Sequence, residues 1–221
     1  MTQAELLTQL ATRLQDNTPT PYLNPAARLE LLQNAVVEYS KYRPQQMIDE
    51  QVGNNTIYLR LPTDWDAVSS RVQALEEVDQ QDHVVMFPAD DYVVYRDKTQ
   101  TYLRLAYESV SQYTYRLRYT KPHTLTTESC SVPTADTSAI LDMAASEGCL
   151  RLAAATIPNF DNTMSGAIVT RKSQAQEYRD LAAQYFQRWL RVMGLPKDPI
   201  QGGVMTQATM HYTNPRRIFR R

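Results

Sequence analysis

The chain has 221 residues, 43% of them hydrophobic and 21% charged, with a formal net charge of −1. That length and balance suit one substantial globular domain, or one domain with a smaller appended unit, long enough to bury a core without staples. Two cysteines, Cys130 and Cys149, exclude a disulfide framework, and neither has a second Cys or His at ligand spacing.

A reducing cytoplasm is the expected compartment for these thiols. No apolar run approaches the ~18 residues that span a bilayer, and "MTQAELLTQL" lacks the basic and apolar regions of a secretion signal. No membrane partner is expected. The charge is unevenly spread: residues 1–159 hold 13 Lys/Arg against 20 Asp/Glu, and residues 160–221 hold 10 against 4. Ends of opposite sign suit end-to-end stacking, or one face turned to a polyanion.

The first predicted helix opens at Thr2 and Glu5, which have capping-box spacing, and Leu6, Leu7, Leu10 and Leu14 follow at helical period. The prolines of "DNTPTPYLNP" break it. Asn24 then caps a second helix with Pro25 at its first position, and Leu29, Leu32, Val36 and Tyr39 trace its buried face as far as Pro44. From about Ile57 the period becomes two. "TIYLRLP" sets Ile57, Leu59 and Leu61 opposite Tyr58 and Arg60. "TYLRLAY" aligns Leu103, Leu105 and Tyr107, and "QYTYRLRYT" alternates Tyr113, Tyr115, Leu117 and Tyr119 with Thr114, Arg116, Arg118 and Thr120. "ESVS" between the last two reads as a hairpin loop. Val68–Val78 and Tyr92–Tyr95 are further strand candidates.

After Pro133 an alanine-rich helix is predicted over 138–157, its small residues allowing close helix contact. A last amphipathic helix follows from about Thr170, with Tyr178, Leu181, Ala182, Tyr185, Trp189 and Met193 on its apolar face. Gly194, Leu195 and Pro196 supply its C-terminal stop. The expected class is α+β. Residues 1–54 and 130–195 form a body of about four helices, 55–129 a β-rich antiparallel insertion, and 196–221 an extended C-terminal arm.

Catalytic constellations are missing from this pattern. His83, His123 and His211 fall in separate elements, and there is no G-x-S-x-G, Walker A or G-x-G-x-x-G motif. Adjacent Asp90 and Asp91 point to opposite sides of an extended segment. Cys149 falls in the alanine-rich helix as a core residue. The expectation is a non-enzymatic protein without cofactor or metal. Zinc-finger spacing and a tight helix-turn-helix are also missing. A strand bearing Tyr113–Tyr119 has aromatic rings of the kind that stack bases, but its tyrosines share a face with Leu117 and read as packing.

Four stretches in this order carry a family resemblance: "LNPAARLELLQNAVVEYSKYRP", "YRLRYTKPHTL", "AILDMAASEGCLRLAAATI" and "RKSQAQEYRDLAAQYFQRWLRVMGL". Their sequence along the chain resembles the head-to-tail connector (adaptor, or head-completion) proteins of tailed bacteriophages. The resemblance implies a structural virion protein of the neck, assembled in the host bacterial cytoplasm. It implies a ring of identical subunits, usually twelve, beneath the portal protein, extending the DNA channel and receiving tail or neck proteins. It also gives the tail a role: Arg216, Arg217, Ile218, Phe219, Arg220 and Arg221 would contact the portal, or packaged double-stranded DNA without regard to sequence. Arg179, Arg188 and Arg191 on the last helix are candidates for the channel or the surface between subunits. The alternatives are another neck or tail ring component, such as a tail terminator or tail tubular protein, and a DNA-binding accessory protein.

Overall fold

The computed structural model describes residues 1–15, 22–97, 100–156 and 174–196. Helix α1, Gln3–Leu14, begins with the expected reciprocal cap: the Thr2 side chain accepts from the Glu5 N–H, and the Glu5 carboxylate accepts from the Thr2 N–H. Helix α2, Pro25–Tyr42, starts where Asn24 accepts from the Ala27 N–H at 2.8 Å, and stops at Arg43, before Pro44. Helix α3, Thr137–Thr156, and helix α4, Gln174–Met193, complete a four-helix body among the described residues. The α4 stop is the expected one. Gly194 sits at φ +72°, its N–H bonds the Arg191 carbonyl, and the Leu195 N–H reaches the Leu190 carbonyl at 2.9 Å. These are the paired bonds of a Schellman motif.

Helix α3 lies at the centre of the body. Ala139, Ile140, Leu141, Ala144, Ala145, Cys149 and Leu152 are buried in one cluster with Leu6, Leu10, Leu14, Leu31, Leu32 and Trp189. Small residues bring α4 close enough for the Ser146 hydroxyl to donate to the Ala182 carbonyl at 2.9 Å. The α4 stripe differs from expectation in detail: Leu190 is buried, whereas Leu181 is 38% exposed.

Between α2 and α3, among the described residues, stand seven strands in two antiparallel sheets. They are β1 (Gln45–Val52), β2 (Tyr58–Arg60), β3 (Arg71–Val78), β4 (Val84–Met86), β5 (Tyr92–Arg96), β6 (Thr101–Leu105) and β7 (Thr114–Lys121). The orders are β1-β7-β3-β4 and β2-β6-β5. Leu75, Tyr115, Leu117 and Tyr119 from the first sheet pack on Leu59, Leu61, Leu103 and Leu105 from the second. The product is a small sandwich with its own core.

Three features differ from the sequence reading. The sheet begins at Gln45, because β1 pairs with β7 along its whole length, from Gln45↔Lys121 to Val52↔Thr114. The "ESVS" segment is no hairpin loop: β6 and β7 lie in different sheets, and the chain crosses between them at a pinned corner. There the Ser109 N–H donates to the Thr56 carbonyl at 2.9 Å. The Tyr115 hydroxyl accepts from the Val110 N–H and donates to Glu77 at 2.6 Å. Tyr107, expected on the buried side, is 63% exposed. The pairing of β5 with β6 stops at Tyr92↔Leu105, so beyond Leu105 the chain has left the sheet.

His123 ties body to sandwich. It is 8% exposed, with its ring 5.3 Å from that of Tyr39. Its backbone N–H donates to the α2 residue Ser40. The network assigns the imidazole proton to Nε2, which donates to the Arg43 carbonyl at 3.1 Å. Nδ1 accepts from Ser131 Oγ, itself the acceptor of the Thr124 N–H. Burial holds the imidazole below its ordinary value of 6.5.

Gly53 makes the corner possible: a Cβ there would lie 2.1 Å from the Val110 carbonyl oxygen and 2.9 Å from the Tyr115 ring. Gly53→Ala should therefore cost ~1–3 kcal/mol or more, as overpacking against backbone does; an unchanged urea midpoint would contradict the close approach. For His123, the unfolded chain takes up a proton near pH 6.5 while the folded chain resists it, so stability is full above that value and declines as pH falls towards the depressed folded pKa. The melting temperature should drop between about pH 7.5 and about pH 5.5, with a shallower slope in His123→Gln. Equal slopes in thermal melts of the two proteins would refute the linkage.

Candidate assembly surfaces

No group of three or more His, Cys, Asp or Glu able to hold a metal occurs among the described residues, and no helix among them is long and apolar enough to cross a membrane. Cys149 is core, its thiol pushed up to about 11 by burial. Asp90 and Asp91 lie in a short 3-10 turn, Ala89–Asp91, at the entry to β5. The Tyr113–Tyr119 strand packs inward, with Tyr115 and Tyr119 at most 2% exposed, which removes it as a base-stacking surface. The candidate surfaces are faces, edges and one pocket.

The first is the outer side of α4. Arg188 and Arg191 border one shallow depression with Ala183, Gln184 and Gln187. Arg179 is exposed too, but nine residues before Arg188 at 100° per residue sets it on the opposite side of the helix. The structure thus brings two of the three predicted arginines together. The Arg188 guanidinium stands 5.5 Å from the centroid of the Tyr185 ring. The Tyr185 hydroxyl donates to the Arg13 carbonyl at 3.1 Å, and Arg13 pairs with the buried Asp142 at 3.2 Å. Burial raises the Asp142 carboxyl, and Arg13 and Arg188 pull it back down in part. One charged seam therefore holds the end of α1, the middle of α3 and the outer arginine surface in fixed relation.

The second surface is the outer face of the three-stranded sheet. The register Tyr58↔Arg104, Arg60↔Tyr102, Val93↔Arg104 and Tyr95↔Tyr102 lays two rows of three across it: Val93, Arg104, Tyr58 and Tyr95, Tyr102, Arg60. Tyr58 centres lie 5.9 Å from Tyr102 and 6.5 Å from Tyr95. No carboxylate stands in either row. Sequence reasoning placed Tyr58 and Arg60 on a wet face but missed the array. Alternation reveals which residues face out, whereas the lateral neighbours come only from the register.

The outer face of the four-stranded sheet is held differently. Glu76, 4% exposed, receives Arg118 at 2.7 Å and Arg116 at 3.4 Å, and Arg116 also pairs with Glu50 at 2.7 Å. Around this network the edge strands expose apolar side chains: Ile48 and Val52 on β1 and Val84, Val85 and Met86 on β4 are all more than half exposed. Unpaired apolar edges are the usual place for another chain to join.

The pocket lies at the end of α4, lined by Glu38, Tyr42, Met143, Phe186, Trp189, Leu190, Leu195 and Pro196, with a volume of about 100 Å³. Trp189 is held between Phe186, stacked at 5.5 Å, and Tyr42, edge-on at 5.6 Å. Its indole N–H is buried with no acceptor among the described residues. Arg216, Arg217, Ile218, Phe219, Arg220 and Arg221 lie outside the described residues.

No protein-family model matches the chain, and no curated protein does. Among solved structures it is similar to a chain from the virion of a native gene transfer agent particle. The TM-score is 0.31 at 12% identity, covering 78% of this chain and 88% of that one. It is similar as well to a chain from the neck of the native gene transfer agent particle computed with C12 symmetry. There the TM-score is 0.30 at 14% identity, covering 81% of this chain and 91% of that one.

Proposed function

We propose that this protein is a structural virion component of a phage neck, forming a ring of identical subunits, twelve in number, beneath the portal. The ring joins the DNA-filled head to the tail and extends the DNA channel. The observation that carries this reading is the order of elements on which the sequence resemblance rests: a helix pair, an inserted β-sandwich, a buried alanine-rich helix, and a closing helix followed by an arginine-tipped segment. In that arrangement the helical body is the ring-forming part and the sandwich receives the next component.

The surfaces divide the work by their chemistry. Arg188, fixed by the seam through Tyr185, Arg13 and Asp142, and Arg191 beside it face the channel or the neighbouring subunit. Arg216, Arg217, Arg220 and Arg221 fork onto portal carboxylates or packaged DNA, with Ile218 and Phe219 as an apolar anchor. Around a closed ring, weak contacts multiply and each tail adds avidity. Deleting residues 205–221 should leave a folded protein that no longer sediments with portal-containing capsids. Normal docking of the truncated protein would overturn the role given to the tail. Arg188→Glu with Arg191→Glu should reduce ring formation or DNA retention in assembled particles, and wild-type behaviour in both would remove α4 from the interface.

A second reading, a DNA-binding accessory protein, is favoured by the outer face of the three-stranded sheet, where three tyrosines and two arginines stand without a carboxylate. Aromatic rings stack bases and cations meet phosphates on such a surface. This reading requires salt-sensitive binding of a labelled single-stranded oligonucleotide by the isolated protein, lost in Tyr102→Ala with Arg104→Ala. Anisotropy that stays flat at low salt would dismiss it.

A further inference from the structure

We infer that strand β5 is a docking edge for an extended acidic segment of a partner protein, which joins the three-stranded sheet as a fourth strand. Three independent observations point to this occupant. The first is a row of free backbone groups. The Ala106 N–H donates to the Asp91 carbonyl at 2.7 Å, and the Asp97 N–H to the Gln100 carbonyl at 2.8 Å. Between these two bonds the register runs Val93↔Arg104 and Tyr95↔Tyr102, and antiparallel alternation makes Val93 and Tyr95 the β5 residues that bond β6. The N–H and C=O groups of Tyr92, Val94 and Arg96 therefore point away from β6, to the open edge of the order β2-β6-β5. They make no backbone hydrogen bond among the described residues.

The second observation is charge. Strands β2, β5 and β6 read YLR, YVVYR and TYLRL, with arginine as their charged residue and no Asp or Glu. Arg96 and Arg104 are exposed and form no ion pair among the described residues. In the four-stranded sheet, by contrast, Arg116 and Arg118 are both paired, with Glu50 and Glu76. Asp90, Asp91 and Asp97 lie beyond the two ends of β5 and confine an acidic strand to the residues between them. The third observation is the wall that such a strand would meet. Val93 is 56% exposed and Tyr95 45%. The Tyr58 ring is tilted by 44° to Tyr95 and by 57° to Tyr102. Rings so inclined share no plane on which a base could lie, and form instead a corrugated surface suited to alternating side chains.

The two arginines set the spacing of the ligand. Arg104 lies across from Val93 on the outer side of the sheet, and Arg96 stands three residues further along β5 on the other side, ~10 Å away along the strand. The partner segment therefore carries carboxylates three residues apart, one for each guanidinium, with two apolar residues between them for Val94 and Tyr95. Main-chain bonds to the free edge supply the rest of the affinity. This docking belongs to the sandwich of the free protein, and stands whether or not the helical body forms a ring beneath a portal.

The test screens the full chain against a library of immobilised eight-residue peptides varied at their four central positions. Bound peptides should be enriched in Asp or Glu at positions three apart, with Val, Ile or Tyr between. Val94→Pro removes an outward N–H and no bond to β6, so the melting temperature should hold while the selected peptide binds about tenfold more weakly. Arg104→Glu should turn the preference at one of the two acidic positions to Lys or Arg. A further measurement leaves the protein untouched and so does not depend on the folding of either variant: N-methylation of alternate residues of the selected peptide should abolish binding in one of the two sets and spare it in the other. Selected sequences without carboxylates, wild-type binding by folded Val94→Pro, or equal binding of the two N-methylated sets overturns the proposal. A library that yields no binder overturns it as well. A single-stranded oligonucleotide bound through Arg104 and indifferent to Val94→Pro then gives the face to nucleic acid.

Discussion

Helix α3 is the element that the rest of the body exists to cover. Its buried residues cover most of the helix circumference, from Ala139 and Ile140 to Leu152 and Ala153, and leave one strip at Leu150 and Ala154 exposed. A helix apolar over so much of its surface has no stable position outside a core. Three partners meet the demand: α1 and α2 share its leucine-rich sides, and α4 lies along its small-residue side. Two polar groups of α3 trapped in the process are answered, Ser146 by the Ala182 carbonyl and Asp142 by Arg13. Burying such groups unpaired would cost ~1–3 kcal/mol each. The outward faces of α4 and the position of its terminal pocket follow from this one requirement.

The sandwich has a separate core and a different surface character. Its two outer faces carry unlike chemistry, tyrosines with arginines on one and a Glu76-centred ion network with apolar edges on the other. Helical body and sandwich therefore offer distinct surfaces from one polypeptide. That arrangement suits the proposed role in a ring between other components, where specificity lies in the matching of patches.

Much of this was legible in the residue order, for reasons that can be named. The caps at Thr2, Asn24 and Gly194 are local devices, decided within a few residues, and all three stand where their spacing predicts. The strand bearing Tyr115, Leu117 and Tyr119 shows its buried face by simple alternation. By contrast β1 was hidden because its pattern is inverted: Ile48 and Val52 point to solvent while Met47, Asp49 and Gln51 turn inward. Gln51 is there because its side-chain amide donates to the Arg60 carbonyl of β2, a long-range bond with no periodic signature. The crossing between sheets at Ser109 was hidden for a similar reason, since a short polar loop between two strands looks the same whether they pair or part. For the assembly surfaces, the sequence marked arginines on α4 but not which share a side, and the tyrosine–arginine rows emerged only once the register was known.

The pairing of Gln45 with Lys121 places the entrance and exit of the sandwich next to each other. In the unfolded chain, Tyr42 and Thr137 are far apart, and bringing α2 against α3 means closing a very long loop. Once β1 and β7 have zipped, only a few residues on the α2 side and the segment from Lys121 to Thr137 remain to be closed. The entropy of that closure falls by about 1–2 kcal/mol. The insertion is thus a kinetic splice: by folding first it would shorten the search that the helices must make, and damage confined to the sheet would slow the docking of α2 on α3 without touching any helix contact.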